Sequence, residues 1–335
     1  MSVLVTGGAG YIGSHATLAL RAADFDVVVV DNLSTGVREA VPADVPLIIG
    51  DIGDGALTTK IIRDHGVDAI MHFAGSIVVP ESVADPLKYY LNNTANSRTL
   101  IQSAVEGGVG TFIFSSTAAV YGMPEKVPVT EDAPTAPINP YGTSKLMTEW
   151  MLRDTTAAHG LVVGVLRYFN VAGADPEGRV GQSTPAATHL IKVACQAAIG
   201  ARDYVEIFGE DFPTPDGTGI RDYIHVCDLV DAHVAVLRHL MTTRESLTMN
   251  CGYGRGYSVR QVLDTVQRVS GRPLDARSAP RRAGDPPMIV ADNARITAAL
   301  NWQPKYADLD FIVRTALDWE TRLQNSDVRN QKSRA

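Results

Sequence analysis

Cysteine is scarce in this chain. The three that occur, Cys195, Cys227 and Cys251, are odd in number, widely spaced and free of any CxxC pair. That spacing argues against a disulfide framework and reads as structural thiols in a reducing compartment. Basic charge is also short, with 30 Lys and Arg against 37 Asp and Glu and a net charge of −7. This balance disfavours a non-specific nucleic-acid surface, and an anionic substrate then requires a local cluster of arginines. No apolar run approaches the roughly 20 residues needed to cross a bilayer. The N-terminus enters a strand pattern directly, without the basic region and apolar stretch of a secretory signal. The eight histidines show no metal-ligand spacing. The expectation is a cytoplasmic protein with no metal, no nucleic-acid partner and no membrane contact. What remains is 45% hydrophobic and 20% charged over 335 residues, enough for a sizeable core and about two domains.

The first half alternates short β-branched runs with helical patterns. Strands are expected at Ser2–Thr6, Asp26–Asp31, Leu47–Gly50, Ala69–Phe73, Thr111–Ser115 and Val162–Leu166. Helices are expected at Tyr11–Arg21, Leu57–His65, within Leu87–Glu106, and from Tyr141 to His159. Uninterrupted apolar strands between helices indicate a parallel sheet covered on both faces, and right-handed crossovers make it an α/β, Rossmann-type doubly wound fold. From about residue 170 Gly, Pro and Asp become denser and the strands shorten. Helical patterns persist at Pro185–Ile199, Asp228–Leu240, Val259–Ser270, with Ser258 as its cap, and Ile312–Leu323. The expected division is a dinucleotide-binding domain over 1–170 and a smaller α/β substrate domain over 171–325, with some strands and helices exchanged. A frayed polar tail is expected over 326–335.

The first strand runs into Gly7-Gly8-Ala9-Gly10-Tyr11-Ile12-Gly13, a glycine-rich loop that opens a helix. Gly7 permits the tight turn, Gly10 lets the backbone approach a pyrophosphate, and Gly13 lets the helix lie close to the strand. Asp31 ends the second strand 18 residues after Gly13, placed to accept both ribose hydroxyls of an adenosine. A carboxylate there repels a 2′-phosphate, and no arginine follows immediately (Asn32-Leu33-Ser34), which favours NAD over NADP. Asp51 and Ile52 after the third strand are candidates for the adenine, and Phe73, Ala74 and Gly75 after the fourth for close passage along the cofactor.

Tyr141 and Lys145 stand four apart, on one face of the expected helix, with Pro140 suited to its first turn. A phenol of pKa near 10 is a poor base at neutral pH; a nearby ammonium and a positive nicotinamide ring favour the phenolate. Strand five ends in Ser115-Ser116-Thr117, where a hydroxyl can bond both the phenol and a substrate alcohol. Arg221 follows a glycine-rich stretch, and Arg281 and Arg282 precede Gly284-Asp285. Such forked donors suit a diphosphate.

Glycine loop, strand-end hydroxyl and YxxxK, in this order, resemble the short-chain dehydrogenase/reductase superfamily, whose extended branch carries a second domain. VLVTGGAGYIGSH, DNLSTG, SVADPLKYYLNN, FIFSSTAAVYG, PINPYGTSK, LRYFNVAGA and GTGIRDYIHVCDL resemble the UDP-glucose 4-epimerases over nearly the whole chain. The resemblance implies Tyr141 as base, Lys145 as its modulator and Thr117 as the hydrogen-bonding hydroxyl. It adds Tyr11, Ile12, Asn32, Ser34, Thr35, Gly36, Asn92 and Phe169 to the NAD site. It assigns Asn170, His189, Arg221, Arg282 and Asp285 to a UDP-hexose. The implied reaction is oxidation at sugar C4, rotation of the 4-keto sugar, and reduction from the other face, in a homodimer built from the helices around Leu87–Glu106 and Tyr141–His159.

Three positions depart from the common pattern. Thr117 stands where many members have serine, Ile77 where some place a lysine against the cofactor, and His189 where some have asparagine. The nearest enzymatic rivals are elimination chemistry and 4-epimerisation of another UDP-sugar (N-acetylated, uronate or pentose). Dehydratases carry Asp-Glu directly after the strand-five threonine; Ala118 and Ala119 here cannot titrate. A non-catalytic NAD sensor tends to lose the tyrosine or the lysine, and both are present.

Overall fold

The computed structural model describes residues 1–184, 188–282 and 284–334, with side chains described as far as Ser326 at the C-terminal end. The first half reads β1 (Ser2–Thr6), α1 (Tyr11–Ala22), β2 (Asp26–Asp31), β3 (Leu47–Ile49), α2 (Gly55–Asp64) and β4 (Val67–His72). It continues through α3 (Val79–Ala84), α4 (Pro86–Tyr89), α5 (Asn96–Glu106), β5 (Thr111–Thr117), α6 (Pro140–His159) and β6 (Val162–Tyr168). The second half contributes β7 (Asn170–Ala172), α7 (Leu190–Ala198), β8 (Val205–Phe208), β9 (Ile220–His225), α8 (Val226–Thr243) and β10 (Leu247–Cys251). It closes with β11 (Gly256–Ser258), α9 (Val259–Ser270), β12 (Ala276–Ala279), β13 (Met288–Ile289), α10 (Ala294–Leu300) and α11 (Leu309–Arg334).

Seven strands form one parallel sheet in the order β10-β6-β5-β4-β1-β2-β3. The apolar runs that predicted buried strands are the sheet's interior: Val3, Leu4, Val5, Val28–Val30, Ile70, Met71 and Phe112–Phe114 are essentially inaccessible. Helices cover both faces, one packed on Val3, Val5 and Val29, the other on Leu4, Val28 and Val30. Chain direction across the sheet reverses between β1 and β4, which opens a crevice at their carboxyl ends.

The second half is interleaved with the first. Its strand β10 pairs in register with β6, Leu247 against Gly164 through Cys251 against Tyr168. Its helix α8 lies on the sheet because Gly164 has no side chain; a Cβ there would stand 2.6 Å from Val236 Cγ1. The remaining elements form a smaller body in which β9 pairs with β7, β11 and β13, and β8 with β12. Ile191, Cys195, Ile207, Tyr223, Val262, Val266 and Ile312 make its core.

Two helix expectations need correction. The segment expected as one helix within Leu87–Glu106 breaks into α4, a π-helical turn over Tyr90–Ala95, and α5, with α3 ahead of them unforeseen. Asp85 caps α4 by accepting from Lys88 N, and the π turn is held by Asn93, whose amide bonds the Ser76 backbone in both directions. The helix expected over Pro185–Ile199 begins at Leu190, because His189 is extended (φ −66°, ψ 129°). Pro185–Ala187 lie outside the described residues. By contrast α6 starts at Pro140 under an Asn139 cap, and Ser258 and Gln261 form a capping box on α9. All three cysteines are free thiols. Among the described residues, no helix is long and apolar enough to cross a membrane, and no cluster of His, Cys, Asp or Glu is arranged to hold a metal.

Candidate active site

The glycine loop packs at the crevice as its sequence requires. Gly7 has φ +69°, and a Cβ on it would lie 2.7 Å from Ala74 N, so the ends of β1 and β4 approach through bare backbone. A Cβ on Gly13 would lie 2.1 Å from Gly7 O, which keeps α1 against its strand. The first-turn N–H groups of α1 point out of the helix end beside Gly10, carrying partial positive charge. Asp31 is nearly buried, and its carboxylate accepts from Ala9 N (2.9 Å) and Leu33 N (2.8 Å). Two amides thus aim the acid and leave it acceptor capacity for hydroxyls. Gly36 packs against Ala9 in the loop, and Ser34 N bonds Asn32 Oδ1, so Asn32, Ser34, Thr35 and Gly36 stand beside Asp31. Asp51 accepts from Asn32, Gly53 N and Asn96, next to a buried Ile52. This donor and acceptor set fits a dinucleotide: a bare-backbone cradle, a helix end for the diphosphate, and one oriented carboxylate for a ribose.

The catalytic candidates meet at the end of β5. Tyr141 and Lys145 share the inner face of α6 and are both buried. Lys145 Nζ donates to Ser115 O (3.0 Å) and lies 4.9 Å above the Phe114 ring; burial pushes its pKa down to about 8. Burial raises the Tyr141 phenol above its ordinary value, and a hydrogen bond with Thr117 opposes that rise. Lowering of the phenol by Lys145 was the expectation. The protein's own groups instead raise it, because desolvation outweighs the hydrogen bond with Thr117. Thr117 Oγ1 also accepts from Ala119 N (3.1 Å), which fixes its rotamer at the strand end.

Around this trio lies a polar network of which sequence reading named Gly75 and Asn92 but missed Asn93, Ser144 and His72. Asn93 bonds Ser144 Oγ (3.1 Å), which donates to Tyr141 O (2.7 Å). Gly75 passes beside Asn93 and Lys145, where a Cβ would sit 3.0 Å from Asn93 Oδ1 and 3.4 Å from Lys145 Nζ. Asn92 bonds Ser76 Oγ (2.9 Å). Under the crevice His72 bridges Thr6 Oγ1 (2.7 Å) and Ser97 Oγ (2.8 Å), and burial drives its pKa to about 3. One turn beyond Lys145, Glu149 accepts from Ser116 Oγ and pairs with buried Arg167 (2.6 Å), which reaches Tyr121 OH (3.1 Å). The recurrence of Tyr141, Lys145 and Glu149 at i, i+4, i+8 was a legible signal for that extension.

The sugar-nucleotide candidates gather in the smaller body. Asn170, His189 and Tyr223 line one small cavity, backed by Trp319 and Glu320. Arg221 pairs with Asp285 at 3.2 Å, and Arg282 stacks 3.7 Å from the Phe208 ring centre. Phe169, a candidate for the cofactor site, packs in an apolar cluster with Val120, Tyr121, Leu146 and Ile289. Arg281 is committed to Asp211 (2.5 Å) at the exposed edge. His225 is internally satisfied, accepting from Cys227 N and meeting Thr315, which accords with a structural role.

The sequence pattern of the NAD dependent epimerase/dehydratase family matches residues 3–252. The chain is 63% identical to a UDP-glucose 4-epimerase of Azospirillum brasilense, over 97% of this chain and 93% of that one. Among solved structures, a UDP-glucose 4-epimerase from Brucella ovis in complex with NAD superposes with a TM-score of 0.92 at 44% identity, covering 95% of this chain and 97% of that one. One from Bifidobacterium longum in complex with NAD+ and UDP gives 0.93 at 37% identity, covering 97% and 99%.

Proposed function

The chain belongs to the NAD dependent epimerase/dehydratase family, and on that premise we propose that it interconverts UDP-galactose and UDP-glucose with NAD as resident cofactor. The carrying observation is the meeting of Tyr141, Lys145 and Thr117 at the end of β5, beside the crevice between β1 and β4. The glycine loop, the α1 N-terminus and Asp31 would hold the dinucleotide, with Asn32–Gly36 and Asp51 flanking its adenosine. When bound, NAD supplies a two-electron acceptor that takes up and gives back the hydrogen on C4 of the sugar.

The chain's own residues handle the proton. Tyr141 accepts it from the sugar 4-hydroxyl, directly or relayed through Thr117 Oγ1, and later returns it. The burial that raises the Tyr141 phenol must be overcome by positive charge brought into the crevice, so base strength is coupled to cofactor occupancy. Lys145 is held by Ser115 O, which sets the distance of its ammonium from the phenol. Arg221 and Arg282 anchor the diphosphate with forked donors while the 4-keto sugar turns. Asn170 and His189 add neutral hydrogen bonds, and Asp285 orients Arg221. Proton and C4 hydrogen are each returned, so net redox is zero and C4 is inverted.

The purified protein assayed with UDP-galactose, UDP-N-acetylgalactosamine and UDP-glucuronate, with NAD released by denaturation and counted, tests this reading. Failure to form UDP-glucose from UDP-galactose overturns it.

The assembly proposed is a homodimer through α3–α6. These elements leave Val83, Leu87, Leu91 and Trp150 exposed, a costly apolar surface unless covered. Light scattering should report twice the 35.9 kDa chain mass. Free thiols without pairing accord with a cytoplasmic location.

A further inference from the structure

His189 precedes α7 in extended conformation, and its side chain does not cap the helix. Its ring is engaged by Gln182, whose Nε2 lies 2.7 Å from His189 Nδ1. Gln182 is itself fixed: it is 7% exposed, and Lys192 Nζ donates to its backbone O at 2.7 Å. Lys192 also pairs with Glu320 on α11, each only 6% exposed, and Gln196 Nε2 donates to the other Glu320 oxygen at 3.0 Å. A buried ion pair is a poor source of stability, because desolvation offsets its attraction. This one sits three residues from His189, and the same ammonium that holds Glu320 also holds the Gln182 backbone O.

We propose that Gln182 is a positioning residue that locks His189 in the tautomer with its proton on Nε2, and that the Lys192–Glu320 pair anchors Gln182 for that task. The inference rests on the reading of His189 as a ligand of the sugar nucleotide. An amide NH2 facing Nδ1 makes that nitrogen the acceptor, so in a neutral ring the proton resides on Nε2. The ring is neutral at pH 7, since burial and the Lys192 charge push its pKa to about 4. A neutral imidazole can hydrogen-bond a diphosphate oxygen, which only accepts, through an N–H alone; a lone pair on Nε2 would repel it. Asparagine at this position would carry its own N–H. Histidine requires the lock, and Gln182 supplies it.

Long-range 15N spectra of the imidazoles, with His189→Asn used to assign the His189 signals, test the lock without any substrate. The wild type is expected to show the Nε2–H form alone, and Gln182→Leu and Lys192→Met/Glu320→Leu to show mixed tautomers. Kinetics then separate positioning from packing. Gln182→Leu should raise KM for UDP-galactose about tenfold with kcat nearly unchanged, yet shift KM by less than about twofold in a His189→Asn background. An Nδ1–H ring in the wild type, a single Nε2–H form in either variant, or equal KM effects in both backgrounds overturns the proposal. Absence of turnover with a correct ring spectrum would instead fault the assigned reaction and leave the tautomer lock standing.

Discussion

Acid should unfold this protein early, because it buries neutral imidazoles. His15, His72, His225 and His233 are all at most 2% exposed. Burial is the largest cause of depression in each, to about 4, 3, 3 and 4 from the ordinary 6.5. A depressed histidine contributes stability that is complete above pH 6.5 and is lost as pH falls toward the folded-state value. At pH 5.5 the unfolded chain gains about 1.4 kcal/mol per imidazole by protonation, or about 7 kcal/mol for these four and His189, which is depressed to about 4 as well. Asp222 runs the other way. Its burial raises the carboxyl to about 6, so the folded state takes up a proton that the unfolded state declines. That returns about 1 kcal/mol at pH 5.5, leaving a net loss of about 6 kcal/mol. Such a loss is a large part of the ~5–15 kcal/mol that holds a typical domain folded. Urea unfolding between pH 7.5 and 5.5 measures it directly, and His233→Gln should flatten the slope by about one proton. A change below about 1 kcal/mol over this range would refute the claim that these rings stay neutral in the fold.

Other perturbations act nearer the chemistry. Tyr141→Phe should lower kcat about a hundredfold to ten-thousandfold while NAD released per chain stays constant; near-normal turnover would remove Tyr141 as the proton acceptor. Gly13→Ala places a Cβ 2.1 Å from Gly7 O, so bound NAD, counted after denaturation, should fall sharply. Retention of NAD there would mean that α1 can shift without cost. Glu149→Ala strands Arg167 in a buried site and should cost about 3–5 kcal/mol in urea unfolding, and a loss below 1 kcal/mol would show the guanidinium finding water.

Much of this architecture was legible before any coordinates. The parallel sheet followed from apolar runs that carry no alternation, since a strand covered on both faces has no polar side to show. The cofactor crevice followed from a glycine loop between a strand and a helix, and α6 from Pro140 and the Tyr141–Lys145 spacing. Those are local signals, set by backbone freedom, capping and helical period. The assignment of β10 to the large sheet was not legible, because nothing in Leu247–Cys251 distinguishes pairing with β6 from pairing in the smaller body. The broken helix before α5 was hidden for a related reason. The break is set by Ser76 and Ser144, outside that segment, which engage the amides of Asn92 and Asn93.

The state of the phenol shows the same division. From its sequence Tyr141 is paired with a lysine four residues on; only packing reveals that Lys145 is held by Ser115 O and that burial drives the phenol upward. Residue order therefore determined which groups share a strand end or a helix face, through geometry that repeats every few residues. Tertiary structure alone decided their protonation and their partners. Desolvation and hydrogen bonding depend on chain segments that meet only once the whole molecule has closed.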